Sequence, residues 1–136
     1  MTSPLSGISV TVLFVGDLAV STAFYRDALD ATLINQDEQS SFFELAGSKV
    51  LLLNRDGAVD LVDQNVATDS TTRPKGELVS FVEDVDQTVA TLANRGVTFL
   101  RGPENRRWGM RTAHFTDPDG HVWEIAQSID LAGPHE

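Results

Sequence analysis

The sequence predicts an α+β fold made of two tandem βαβββ modules, and three observations predict it. The order strand, helix, strand, strand, strand can be read twice along the 136 residues. Val12, Phe14, Val15 and Asp17 recur as Val79, Phe81, Val82 and Asp84 at a constant offset of 67, and the turn glycine Gly47 recurs as Gly120 at an offset of 73. Such self-similarity is the signature of a duplicated unit. The composition, 41% hydrophobic and 22% charged, is that of a chain able to bury a core at this length. We read one domain over 1–136, with module 1 at about 8–54, a linker at about 55–76 and module 2 at about 77–128.

The elements follow in order. Ile8 to Val15 is β-branched and apolar, as in a buried strand. Asp17 is a natural N-cap, and Leu18, Val20, Phe24, Ala28 and Leu29 then recur at helical spacing. A strand is expected near Ala31 to Asn35. Ser41 to Leu45 and Lys49 to Leu53 form a hairpin around Ala46-Gly47-Ser48. Asn54 to Gly76 is polar and reads as a long loop or linker. Glu77 to Val82 restarts the pattern. Asp84 with Gln87 three residues on resembles a capping box, Val85, Val89 and Leu92 give a helix face, and Gly96 suits the C′ position. Val97 to Leu100 is a strand, Gly102 to Gly109 a loop carrying Trp108, and Arg111 to Thr116 and His121 to Gln127 are strands joined by Asp117-Pro118-Asp119-Gly120. The tail after Ile129 should be loose. Phe24 and Tyr25 are expected between helix and sheet, with Met110 as apolar filler.

Charge and motifs exclude several function classes. Ten Lys and Arg against twenty Asp and Glu give a formal net charge of −10. That argues against nucleic acid and anionic membrane, both of which need a basic face. With no cysteine there is no disulfide, thiolate metal site or cysteine nucleophile. The start has no basic or apolar targeting segment and no run reaches spanning length, so a soluble cytoplasmic protein is expected. Phosphate-binding glycine loops, serine elbows and His-Glu-x-x-His are absent from the sequence.

Two segments carry a family resemblance. Val15-Gly16-Asp17-Leu18 with Ala23-Phe24-Tyr25-Arg26-Asp27, and Trp108-Gly109-Met110-Arg111 with Phe115-Thr116-Asp117-Pro118-Asp119-Gly120-His121-Val122-Trp123-Glu124-Ile125, resemble the vicinal-oxygen-chelate superfamily. It includes glyoxalase I, bleomycin-resistance proteins, fosfomycin-resistance transferases and extradiol dioxygenases. The resemblance runs from about Ile8 to Ala126. It implies that each module curls into a half-barrel sheet with its helix on the convex face, and that small members form homodimers around small-molecule cavities. In metal-using members the ligands come from the first strand of each module and from a last strand.

Carried over residue by residue, that pattern is incomplete. The first-module ligand position, seven residues before Asp17, is Val10, which cannot ligate. The second-module position is Glu77, and the last-strand ligand is Glu124, whose first-module counterpart is Leu51. Two carboxylates alone are too few for a firm transition-metal site. Alternation adds a third group: with Ala113, Phe115, Trp123 and Ile125 on the apolar face, His114 and Glu124 share the other. A metal set of Glu77, His114 and Glu124 would suit Mn²⁺, Fe²⁺ or Zn²⁺. The plainer readings are a solvated strand-end Glu77, a salt-bridged Glu124 and a hydrogen-bonded strand histidine. His121 should face the convex side or solvent and is given no site role; His135 lies in the tail.

Phe14 and Phe81, matched by the repeat, are expected to line the ligand pocket. Trp108 would stack on a planar ligand or plug the barrel mouth, and Arg111, with Arg107, would clamp an anion or neutralise carboxylates. The reading favoured by the sequence is a metal-independent, drug-sequestering binder resembling bleomycin-resistance proteins, with no cofactor favoured. The alternatives are a divalent-metal lyase, isomerase or dioxygenase, and a metal-free isomerase or epimerase with His114 and Glu124 as catalytic acid and base.

Overall fold

The computed structural model describes residues 3–62 and 75–130. The chain divides into two compact units, Met1–Thr71 and Thr72–Glu136. Each carries an open four-stranded mixed sheet with helices, an α+β architecture of two modules as expected. Among the described residues no helix is long and apolar enough to cross a membrane.

In the first unit, β1 (Thr11–Phe14) pairs in parallel with β4 (Ser48–Leu53), followed by β3 (Ser40–Leu45) and β2 (Thr32–Gln36), both antiparallel. Asp17 caps α1 (Leu18–Ala23), its carboxylate accepting from the Val20 N–H at 3.1 Å. The helix then widens into a π-helical turn, Phe24–Ala28, in which the Leu29 N–H reaches the Phe24 carbonyl. Tyr25, Phe43 and Leu52 are fully buried between helix and sheet.

Two expectations need correction here. The first strand starts at Thr11 rather than Ile8, which is 91% exposed. The expected linker also begins with structure: Asn54 accepts from the Gly57 N–H at 2.9 Å and caps α2 (Arg55–Leu61). The cue was an Asn ahead of Ala58, which this helix buries completely. Positions 63–74 of that linker lie outside the described residues, as does most of the expected loose tail.

In the second unit, β5 (Leu78–Phe81) pairs in parallel with β8 (Val122–Ser128), then come β7 (Met110–Thr116) and β6 (Phe99–Arg106), antiparallel. Asp84 caps α3 (Val85–Asn94) through the Gln87 N–H at 3.1 Å. Gly96, at φ +92°, closes the helix while the Val97 N–H returns to the Leu92 carbonyl. The helix and sheet bury Val85, Leu92, Ala113, Phe115, Trp123 and Ile125. The Phe115 and Trp123 rings stack with 6.1 Å between centroids. The expected Gly102–Gly109 loop is mostly strand, because β6 runs on to Arg106 and only a tight turn remains around Trp108.

β6 is irregular, and this sets what the sheet presents. Phe99 pairs with Phe115 but Arg101 pairs with His114, and Glu104 then pairs with Thr112. The register shifts once between Phe99 and Arg101 and again between Arg101 and Glu104. Plain alternation would put Arg101 with Phe99 on the helix side and Glu104 on the other face from Arg101. The two bulges bring Arg101 and Glu104 onto the His114 face together.

Candidate functional site

The cross-strand register assembles the site within the second unit. Val79 of β5 is the partner of Glu124, Glu124 of His114, and His114 of Arg101. Glu77 precedes β5 and shares the face of Val79, two residues on. Ala113, Phe115, Trp123 and Ile125 fill the opposite, helix-covered face, so the polar side chains between them are turned away from the core.

His114 Nε2 lies 3.1 Å from Glu124 Oε1 and 3.3 Å from Glu77 Oε1. One ligand atom from each of the three side chains lies within 4.8 Å of the others. The side chains of Glu124 and His114 are 17% and 19% exposed, and that of Glu77 is 36% exposed. The Glu77 carboxyl is held above the ordinary carboxylate range, chiefly by its hydrogen bond with Glu124, then by burial and the Glu124 charge, with His114 opposing. Two carboxylates this close favour sharing a proton.

Two carboxylates and an imidazole converging from one sheet match the donor chemistry of a divalent transition ion. The fit has an energetic cost, set by the other ring nitrogen. Nδ1 of His114 is buried with no hydrogen-bond partner among the described residues. Ligation through Nε2 places the ring proton on Nδ1, and an unmet buried donor costs about 1–3 kcal/mol.

Within the second unit the other expected pocket residues are dispersed. Phe81, two residues past Val79 on the site face, is 79% exposed. Trp108, 63% exposed, sits at the β6–β7 turn with the Arg106 guanidinium 5.7 Å from its ring centroid. Phe14 belongs to the first unit. Arg111 lies on the helix face: its Nε and Nη2 donate to Asp86 of α3 at 2.8 and 2.9 Å, and Nη1 donates to Asn105. The alternation that paired His114 with Glu124 already placed Arg111 with Ala113 and Phe115.

Sequence reasoning missed two groups. Arg101 and Arg106 both pair with Glu104 on the site face, Arg106 Nη2 at 3.1 Å. Arg106 Nε also donates to Thr112 Oγ1 at 3.0 Å. Only the bulges reveal this grouping. The second group is Asp117, Asp119 and His121, whose ligand atoms also lie within 4.8 Å of one another. There Asp117 accepts from the Asp119 and His121 N–H groups and lies 2.7 Å from His121 Nδ1. Those bonds fold the β7–β8 turn, and they account for the cluster.

The glyoxalase/bleomycin resistance protein/dioxygenase superfamily model matches residues 7–125. The chain belongs to that superfamily. The resemblance seen in the sequence is thereby borne out. The chain is 32% identical over 121 residues to the uncharacterized protein YraH of Bacillus subtilis (strain 168), covering 86% of this chain and 94% of that one. It is 29% identical over 119 residues to the metallothiol transferase FosB of Bacillus licheniformis, covering 88% and 73%. Among solved structures, a glyoxalase/bleomycin resistance protein/dioxygenase from Nocardioides superposes with TM-score 0.77 at 24% identity, covering 99% and 91%. The fosfomycin resistance protein FosX of Listeria monocytogenes, a point mutant complexed with Mn(II) and 1S,2S-dihydroxypropylphosphonic acid, gives TM-score 0.69 at 23% identity, covering 93% of each chain.

Proposed function

We propose that this chain is a metal-assisted enzyme acting on small oxygenated molecules, with Glu77, His114 and Glu124 holding one divalent cation. The observation that carries this reading is the convergence of three donor groups within 4.8 Å on one face of a single sheet. A cation held there supplies Lewis acidity toward a substrate oxygen. The side chains themselves handle protons. Without the cation, Glu77 retains a proton more readily than an ordinary carboxyl and His114 Nε2 is within hydrogen-bond reach of both carboxylates, so cation binding would release the proton that the three groups hold. The names of relatives, a metallothiol transferase and a protein complexed with Mn(II), support the class. The substrate does not transfer with them, because Val10 stands where the resemblance implies a ligand. A homodimer in the cytoplasm goes with this reading.

The deciding experiment is metal content per chain on protein purified without chelator or affinity tag, followed by Mn²⁺ and Zn²⁺ titration. Stoichiometric uptake, lost in Glu124→Gln, is expected. No uptake of either ion would end the metal reading and leave His114 and Glu124 as a metal-free acid–base pair. A second reading has its own support. Phe81 and Trp108 expose aromatic surface suited to a metal-independent binder. That reading expects quenching of Trp fluorescence by planar cationic drugs in the presence of chelator, and unchanged emission would sink it.

A further inference from the structure

We propose that Arg101, backed by Arg106, is an oxyanion subsite beside the Glu77–His114–Glu124 cluster, so that the substrate carries a carboxylate, phosphonate or phosphate group. The proposal deepens the metal reading and rests on it for the position of the substrate's other end.

Three observations lead there. The two bulges in β6 put Arg101 directly across from His114 and carry Glu104 to the same face. Arg106 is 17% exposed at its side chain and is held by Glu104, Thr112 and the Trp108 ring. The Arg101 side chain is 62% exposed and meets Glu104 through Nε. A guanidinium has five N–H donors in a planar fork, so the solvent-facing edge of Arg101 can still take two oxygens of one anion.

The charge balance gives the subsite a condition. With all carboxylates ionised, Glu77, Glu104 and Glu124 outweigh Arg101 and Arg106 by one negative charge. A divalent cation reverses that to one positive charge. The chain's overall −10 repels anions at long range, but screening confines it to about 8 Å at physiological salt. Anion capture should therefore strengthen when the cation is bound, and by reciprocity the anion should tighten cation binding. As a plain surface ion pair, Arg101–Glu104 would show neither effect.

The test is calorimetric titration of the full chain with Mn²⁺, alone and with saturating methylphosphonate or acetate, for wild type and Arg101→Gln. We expect one of the anions to raise Mn²⁺ affinity about 5- to 150-fold, the usual range of coupling between sites. Arg101→Gln should lose that gain, while its anion-free Mn²⁺ affinity does not fall, since a positive charge beside the cation is removed. Whichever of the two anions is effective identifies a phosphonate-like or a carboxylate substrate. Unmoved Mn²⁺ titrations with both anions, or full enhancement in Arg101→Gln, would overturn the subsite. If wild type takes up no Mn²⁺, the metal reading fails, and the Arg101 Nε–H NMR signal of the metal-free protein decides the subsite alone. A shift on adding methylphosphonate or acetate, absent with neutral acetamide, upholds it; no shift rejects it.

Discussion

His114 and Glu124 are direct cross-strand partners, and their Nε2 and Oε1 atoms lie 3.1 Å apart on the face of the sheet that α3 does not cover. Their neighbours Ala113 and Ile125 are partners in the same ladder and are buried against that helix. The hydrophobic core thus fixes the register that brings imidazole and carboxylate together. Substitutions on the polar face should change binding far more than they change folding.

Glu124→Gln preserves shape and an acceptor oxygen but removes the charge. Changing a residue that only supports a metal ligand typically costs 10–100-fold in affinity. Loss of a ligand charge should cost at least about that much for Mn²⁺, with little change in the melting temperature of metal-free protein. Calorimetry checks the first effect and thermal denaturation in chelator the second. Unchanged Mn²⁺ affinity would remove Glu124 from the ligand set.

Glu77 makes stability depend on pH in a defined direction. Its folded pKa lies above the unfolded value, so between the two the native state holds more protons than the unfolded state. Stability should fall as pH rises from about 4.3, the unfolded value, through the folded one. Glu77→Gln cannot lose that proton. It should match wild type in acid and become the more stable of the two toward neutral pH in chelator. Denaturant midpoints at several pH values measure the gap, and a gap that narrows as pH rises would contradict the shared-proton picture.

Much of this was legible in the sequence for a simple physical reason. Asp17 and Asp84 cap helices because an aspartate before an amphipathic run has N–H groups to accept from, and both do so in the structure. The His114–Glu124 pairing followed from strict alternation across a hairpin whose apolar face was plain. Arg101 and Glu104 were not legible, because alternation fails wherever a strand bulges, and nothing in Phe99-Leu100-Arg101 marks the first shift. Arg111 was read either as an anion clamp or as a neutraliser of carboxylates, and its pair with Asp86 agrees with the second. The π-helical turn at Phe24–Ala28 left no trace in a hydrophobic pattern that fits an ordinary helix equally well.

His121 should report the same direction of pH dependence as Glu77, over a higher pH window. Its pKa is raised chiefly by the hydrogen bond to Asp117 and further by the charges of Asp117 and Asp119, against the cost of burial. The native state therefore favours the imidazolium. That contribution is fully present below the unfolded pKa of about 6.5 and is lost as pH rises through the folded value. His121→Gln should be destabilised most in mild acid and least in alkali, where the imidazole is neutral in both states. An NMR titration of the ring should place its midpoint above the ordinary histidine value.

Arg111 should behave as a strut. Its bidentate pair with Asp86 joins β7 to α3 on the core side of the sheet. Arg111→Gln should lower the melting temperature modestly, more at low salt than at high, and leave Mn²⁺ affinity and its anion enhancement intact. Loss of anion enhancement in this variant, with Arg101→Gln unaffected, would return Arg111 to the ligand pocket that the sequence first suggested.

Gly102 is where the site meets the limits of the fold. Its φ is +88°, and a Cβ there would stand 2.4 Å from the Thr112 carbonyl oxygen and 2.8 Å from Ala113 Cα. Both contacts are backbone atoms of β7, so no side chain can swing aside. Gly102→Ala must either push β6 off β7 or undo the bulge that carries Glu104 to the Arg101 face. Strain at a positive-φ position costs about 1–3 kcal/mol, and the backbone contact should place this variant at or above the top of that range. If it still folds, the loss should not be confined to stability. Mn²⁺ binding, which needs Glu77, His114 and Glu124 on β5, β7 and β8, should survive better than its enhancement by anions, which needs β6 in register. Chemical denaturation gives the first quantity, and paired Mn²⁺ titrations with and without methylphosphonate or acetate give the second. Equal loss of both would mean that β6 supports the whole face and that its bulges serve the sheet more than the subsite.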